Sequence, residues 1–173
     1  MQAIILAAGE GSRMRPLTAS RPKVMLPVAG RPFLEHIILR AQAAGADRIV
    51  LVVGYCGDAV RSYFGAGSSL GLKIEYALQD QQLGPGHALM AARDLAEDSF
   101  LVLNGDVLPE EPSLRALAGC EPAVSAIRVE DPRRYGVFSS HQGRLTSVVE
   151  KTSSPPSNLA NAGIYHFGAG IFD

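Results

Sequence analysis

Residues 2–18 read Q-A-I-I-L-A-A-G-E-G-S-R-M-R-P-L-T, and the way this stretch divides decides the fold. Residues 2–8 are a nearly continuous apolar run that stops at Gly9, the pattern of a strand buried on both faces. From Gly9 onward the chain is glycine-bearing and cationic. Gly9 and Gly11 remove Cβ atoms where a backbone must turn tightly or approach a ligand closely. Successive exposed N–H groups in such a loop form an anion nest, and Arg13 adds a fixed cation. Met14 breaks the dinucleotide pattern G-x-G-x-x-G, and no G-K-[ST] occurs after it, so neither a dinucleotide oxidoreductase nor a P-loop is indicated. The connection runs on for about 25 residues, against the ~2–6 of an ordinary strand-to-helix turn, which marks it as functional. It ends in R-P-K-V-M-L-P-V-A-G-R-P at 21–32, where Pro22, Pro27 and Pro32 hold Lys23 on a rigid backbone. A lysine there is a point charge suited to phosphate.

Outward from this stretch, the pattern alternates. Apolar Phe33, Leu34, Ile37, Ile38, Ala41 and Ala44 predict an amphipathic helix over 33–44, started after Pro32 and stopped by Gly45. Strands are expected at 48–53, 73–78 and 99–103, and helices around 57–64 and at 87–96. Strands alternating with helices imply a parallel sheet wrapped by helices on both faces. After about residue 120 the rhythm becomes strand-rich, at 122–129, 136–140, 144–150 and 161–167, predicting a mixed or antiparallel addition; 152–158 reads as a loop. Ligands in open α/β sheets bind beyond the carboxyl ends of strands. The polar segments Gly9–Lys23, Gln79–His87 and Asn104–Asp106 each come directly after a strand, so three loops are expected to converge on one edge.

Composition sets the outer bounds. At 173 residues the length is that of one domain, residues 1–173. Hydrophobic residues are 47% and charged residues 19%, a globular balance. The net charge of −1 argues against a nucleic-acid partner bound by overall positive charge. No apolar run approaches the ~20 residues of a membrane span, and residues 1–8 lack a basic n-region. The two cysteines, Cys56 and Cys120, form no metal-type cluster, which with these signs predicts a cytoplasmic protein. Within the neutral whole, residues 9–32 hold five cations (Arg13, Arg15, Arg21, Lys23, Arg31) against the single acid Glu10. Lysine is scarce: only Lys23, Lys73 and Lys151 occur.

The series G-E-G-S-R-M-R-P-L-T, R-P-K-V-M-L-P-V, P-F-L-E, Q-L-G-P-G-H-A-L, L-N-G-D, Y-G-V, V-E-K and N-A-G-I-Y, in this order, resembles the sugar-1-phosphate nucleotidyltransferases across essentially the whole chain. The resemblance implies a Rossmann-like three-layer α/β/α fold of the glycosyltransferase-A type with a mixed, mostly parallel sheet. It implies attack of a sugar-1-phosphate on the α-phosphorus of a nucleoside triphosphate, with pyrophosphate leaving. Catalysis of that kind is largely positioning and charge neutralisation, which accounts for the early cation excess. By match to the motifs, Leu6, Ala8, Gly9, Gly11, Gln79 and Gly84 would bind the nucleotide. Arg13 would bind the leaving pyrophosphate, Lys23 would neutralise the reacting phosphates, and Asp106 would hold magnesium (Mg²⁺), a hard cation that takes carboxylate oxygen. Gly136, Glu150, Lys151 and Asn161 would bind the sugar phosphate.

Gln79 lies five residues before Gly84, as in family members that read uracil or thymine, and a side-chain amide can pair donor and acceptor with a pyrimidine imide. The stretch Q-L-G-P-G-H-A most resembles the N-acetylglucosamine-1-phosphate uridylyltransferases, which implies UTP first and dTTP next. Pro85 removes one N–H from the base loop. His87 reads as packing or a cap, and His36, His141 and His166 have no ligand-like spacing. The chain stops at G-I-F-D, before the end of the family's catalytic domain. The expectation is therefore the N-terminal part of a longer, homo-oligomeric protein, since I-Y-H-F at 164–167 would leave apolar surface uncovered if nothing followed it. The competing readings are a non-catalytic nucleotide-sugar-binding subunit of the same fold and a mannose-1-phosphate guanylyltransferase. Retention of Arg13, Lys23 and Asp106 together favours an enzyme.

Overall fold

A computed structural model describes residues 1–173. In chain order its elements are β1 (Gln2–Leu6), β2 (Pro27–Val28), β3 (Arg31–Pro32), α1 (Phe33–Ala43), β4 (Arg48–Val53), α2 (Gly57–Phe64), β5 (Lys73–Leu78), α3 (Pro85–Ala91) and β6 (Ser99–Asn104). Then come α4 (Glu111–Ala118), β7 (Ala123–Arg128), β8 (Gly136–His141), β9 (Arg144–Glu150) and β10 (Leu159–Gly168). The chain divides into two compact units, one comprising Met1–Ala123 with Tyr165–Asp173, the other Val124–Ile164.

In the first unit β1 is the central strand. It pairs in parallel with β4 on one side and β6 on the other, and β5 continues in parallel beyond β4. β10, whose last residues belong to this unit, lies next to β6. Ala3, Ile4 and Ile5 are all fully buried, so both faces of the strand are covered. Ile4 packs with Val50, Val52, Phe100 and Val102, and Ala88 of α3 joins them. The apolar stripe of α1 (Leu34, Ile37, Ile38, Ala41) and Val60 and Phe64 of α2 are buried as well. Helices on both sides of a sheet make the three-layer α/β/α arrangement that the alternating pattern predicts. Each buried Leu or Ile contributes about 1.5–3 kcal/mol.

Several boundaries differ from expectation. β1 ends at Leu6 rather than residue 8, although Ala7 still donates to the Val52 carbonyl at 2.8 Å. The long connection is not structureless: it holds 3-10 turns at Ser12–Met14 and Lys23–Met25 and the hairpin β2–β3. The helix expected at 87–96 starts at Pro85, whose missing N–H suits the first turn. It ends at Ala91, and a 3-10 turn at Arg93–Leu95 follows it. Gln2 is fully buried, with its amide donating to the Leu95 carbonyl (2.7 Å) and accepting from the Glu97 N–H (2.8 Å). Helix α4 departs from the expected pattern; its Pro112 lies in the first turn, where it starts a helix rather than ending one.

The expected uncovered surface at 164–167 is absent: Ile164 and His166 are buried, and Tyr165 and Phe167 pack on the Phe100 cluster. Two sets of contacts cover the segment: His166 packs against Ser99 and the Cys120 carbonyl, and the 3-10 turn Ala169–Phe172 brings Phe172 onto Phe100, with ring centroids 5.7 Å apart, in the cluster that Tyr165 and Phe167 join.

The second unit is antiparallel. β8 pairs with β9 and with β10, and β7 pairs with β10. Gln142 and Gly143, both at positive φ, form the two-residue turn between β8 and β9.

Candidate active site

A cavity of about 330 Å³ opens where the exits of β1, β5 and β6 meet. From the first exit come Leu6, Ala8 and Gly9, with Lys23 and Val24 returning from the long connection. The β5 exit supplies Gln79, Gln82, Gly84 and Pro85; the β6 exit supplies Asn104, Gly105 and Asp106. The three polar loops thus converge on one edge, as the pattern predicts.

Lys23 Nζ and Asp106 Oδ2 form an ion pair at 2.8 Å, joining residues 83 positions apart in sequence. The pair is partly open to water, with side-chain exposures of 30% and 54%, so its net stabilisation is small. Asp106 is the only carboxylate in the cavity wall. That donor set fits Mg²⁺, which is ordinarily held by one or two carboxylates together with substrate phosphates rather than by a closed protein cage.

The supporting loops are tied down by neighbours. Tyr55 donates from its hydroxyl to the Ala19 carbonyl at 3.0 Å, and the adjacent Cys56 side chain pushes the phenol above its ordinary range. His36 donates to the Val28 carbonyl at 2.8 Å. Buried Glu35 meets Arg31 at 3.2 Å and accepts from the Tyr63 hydroxyl at 2.8 Å, which raises the tyrosine. These contacts hold the β2–β3 hairpin against α1. Gln82 donates to the Ala8 carbonyl at 3.1 Å, bridging the β5 and β1 exits.

Gly105 is required by crowding: a Cβ there would sit 2.6 Å from the Leu6 carbonyl oxygen and 3.1 Å from Val24 Cγ1. Gly84 adopts φ +99°, ψ 179°, a conformation open to glycine alone. Its carbonyl accepts from Gln79 Nε2 at 3.2 Å, and the same nitrogen lies 3.1 Å from His87 Nδ1. Gln79 is nearly buried, and both of its amide N–H groups are engaged within the protein. It therefore offers an acceptor, not the donor–acceptor pair expected from its side chain alone. Pro85, as the first residue of α3, withholds an N–H that the helix start leaves unpaired in any case.

Of the expected residues, Leu6, Ala8, Gly9, Lys23, Gln79, Gly84 and Asp106 line the cavity. Gly11 and Arg13 do not. Gly11 backs Lys23 instead: a Cβ on it would meet Lys23 Cβ at 2.7 Å. Arg13 lies exposed in the Ser12–Met14 turn. Gly136, Glu150, Lys151 and Asn161 all fall in the second unit. Gly136 pairs with Glu150 in the β8–β9 ladder, and the Glu150 carboxylate fills the space a side chain on Gly136 would need. The Lys151 N–H donates to the Tyr135 carbonyl at 3.1 Å, and Asn161 Oδ1 accepts from the Gly163 N–H at 2.9 Å. His166 is structural: it is buried against Ser99 and the Cys120 carbonyl. Gln82 and Gly105 join the wall without a clear signal in the sequence. Gly105 is visible there only as part of a turn, and Gln82 as one glutamine in a polar run.

A parallel sheet with a glycine-lined cavity and a lysine–aspartate pair beyond its strand ends defines an open α/β protein whose cavity lies at the edge where such folds ordinarily bind ligands. Residues 2–173 match the family model described as nucleotidyl transferase. Over 176 residues the chain is 43% identical to the bifunctional protein GlmU of Methanococcus maripaludis, covering all of this chain and 41% of that protein. It is 38% identical to a mannose-1-phosphate guanylyltransferase of Mycobacterium tuberculosis, covering all of this chain and 50% of that one. The structure is similar to that of a putative glucose-1-phosphate thymidylyltransferase from Bacillus anthracis in complex with a sucrose, with a TM-score of 0.88, 29% identity, and coverage of 99% of this chain and 73% of that one. The chain belongs to the nucleotidyl transferase family, among its sugar-1-phosphate members. It spans about two-fifths of the length of the Methanococcus relative. No helix is long and apolar enough to cross a membrane.

Proposed function

We propose that this chain carries the nucleotide-binding half of an enzyme that transfers a nucleotidyl group from a nucleoside triphosphate to a sugar-1-phosphate, releasing pyrophosphate. The observation that carries the reading is the Lys23–Asp106 pair at the mouth of a cavity walled by the β1, β5 and β6 exits. Two anions must meet in this reaction, and the work of the protein is to hold them in line and neutralise the charge between them. In this reading Gly9 offers backbone to the triphosphate, and Lys23 neutralises charge on the reacting phosphates. Arg13, on the neighbouring turn, takes the leaving pyrophosphate. Asp106 would hold Mg²⁺, which when bound supplies positive charge to the phosphate oxygens. Gly136, Glu150, Lys151 and Asn161 provide the sugar-phosphate contacts.

UTP is the leading triphosphate and dTTP the next, because the acceptor of Gln79 suits the ring N–H of a pyrimidine imide. GTP with mannose-1-phosphate is the alternative favoured by the Mycobacterium relative, since guanine also presents a ring N–H. The reading includes a cytoplasmic location and a homo-oligomeric full-length protein. The test measures pyrophosphate release with UTP, dTTP and GTP, each paired against glucose-, N-acetylglucosamine- and mannose-1-phosphate, with and without Mg²⁺, on this chain and on any longer parent. Release with one pairing, lost on chelation, is the expected result. Metal-independent release would remove Asp106 from its role, and no release with any pairing would end the reading.

A further inference from the structure

His87 is the first residue beyond the cavity wall whose chemistry the reaction does not use, yet its ring is turned onto Gln79. The Gly84 carbonyl can only accept, so the nitrogen end of the Gln79 carboxamide must face it. The same nitrogen then meets His87 Nδ1 with its second N–H, which requires Nδ1 to be the unprotonated, accepting nitrogen of the ring. Both amide N–H groups are thereby consumed. Oε1 of Gln79 makes no hydrogen bond in the protein, and no fully buried side-chain oxygen lacks a partner, so this atom of the nearly buried Gln79 keeps some exposure, and the residue lines the cavity.

We infer that His87 is a positioning residue that locks the Gln79 amide with its oxygen outward, and that this lock makes the cavity select a base with a ring N–H. Uracil and thymine carry that donor at N3. Cytosine carries a lone pair there, which would face the lone pairs of Oε1. An amide free to turn would serve either base, because rotation exchanges its donor and acceptor ends. Discrimination therefore resides in the His87–Gln79–Gly84 arrangement rather than in Gln79 alone. The inference rests on the nucleotide reading of the cavity given above.

The experiment titrates the full chain with UTP and with CTP in the presence of Mg²⁺ by calorimetry, for the wild type, His87→Ala and His87→Asn. The asparagine keeps an accepting oxygen near the place of Nδ1. Expected are UTP binding about tenfold or more tighter than CTP in the wild type, a ratio about fivefold or more smaller in His87→Ala, and its recovery in His87→Asn. Nitrogen-15 spectra of the wild-type imidazole provide a readout independent of any variant's folding, and should show the proton on Nε2. An unchanged ratio in His87→Ala, or a proton on Nδ1, overturns the inference. So does equal affinity for UTP and CTP in the wild type, which leaves the nucleotide reading standing. If neither nucleotide binds, both fall together.

Discussion

At Lys23 and Asp106 the proposed catalytic role of the charge pair and its structural role are separable by substitution. Because both side chains are partly exposed, replacing Lys23 by Ala should shift unfolding free energy by less than about 1 kcal/mol. Turnover, read as pyrophosphate release, should fall about 10²–10³-fold, as when a donor to developing negative charge is removed. Gly105→Ala should do the reverse, lowering the urea midpoint by an amount worth about 1–3 kcal/mol, because the new methyl meets the Leu6 carbonyl oxygen rather than a side chain that can swing away. The charged residues of the site are legible in sequence, since a lysine between prolines and an aspartate after an apolar run stand out. What Gln79 offers is not. Its hydrogen-bonding ends are assigned by a glycine carbonyl five positions on and a histidine eight positions on, and only the backbone conformation at Gly84 brings those two together.

Among the secondary-structure elements, strands are easier to read than helices. β1, β4 and β6 are runs of buried aliphatics, and a parallel sheet covered on both faces demands such runs; the edge strand β5 shows a looser alternation in which Ile74 and Ala77 are the buried residues. Helix α4 carries a proline, Pro112, as its second residue, which reads as a breaker unless the start of the helix is already known. The join between β4 and β5 is reinforced by Arg48, which donates to Glu75 at 2.7 Å and to Glu97 at 2.9 Å. The Arg48 hydrogen bond holds the Glu75 carboxyl below the ordinary glutamate range, against some burial. In the unfolded chain that carboxyl protonates at higher pH, so the unfolded state binds more protons through this window and stability rises with pH across it. The contribution is present above the unfolded value and lost as pH falls toward the folded one. Urea midpoints measured at steps from neutral to acid pH should therefore decline more steeply in the wild type than in Glu75→Gln.

Taken as a whole, the first unit is bound together by residues far apart in the chain. Phe172, near the end, stacks on Phe100 of β6 within the cluster that includes Ile4 and Ala88. Phe172→Ala should lower unfolding free energy by about 3 kcal/mol, the lower end for a core phenylalanine, measured by urea denaturation. The sheet is foreseeable from periodicity; this closure is not, because the apolar residues at 164–172 carry no sign of which face they cover. The cavity shares the same dependence on distance. Its walls are drawn from the ends of β1, β5 and β6, which share one edge only when β4 and β6 pair on either side of β1 and β5 pairs beyond β4. A peptide spanning the glycine loop alone would possess the charges without the enclosure. On the proposed reading, affinity for triphosphate should report whether those strands are assembled, and it should fall when any one of them frays.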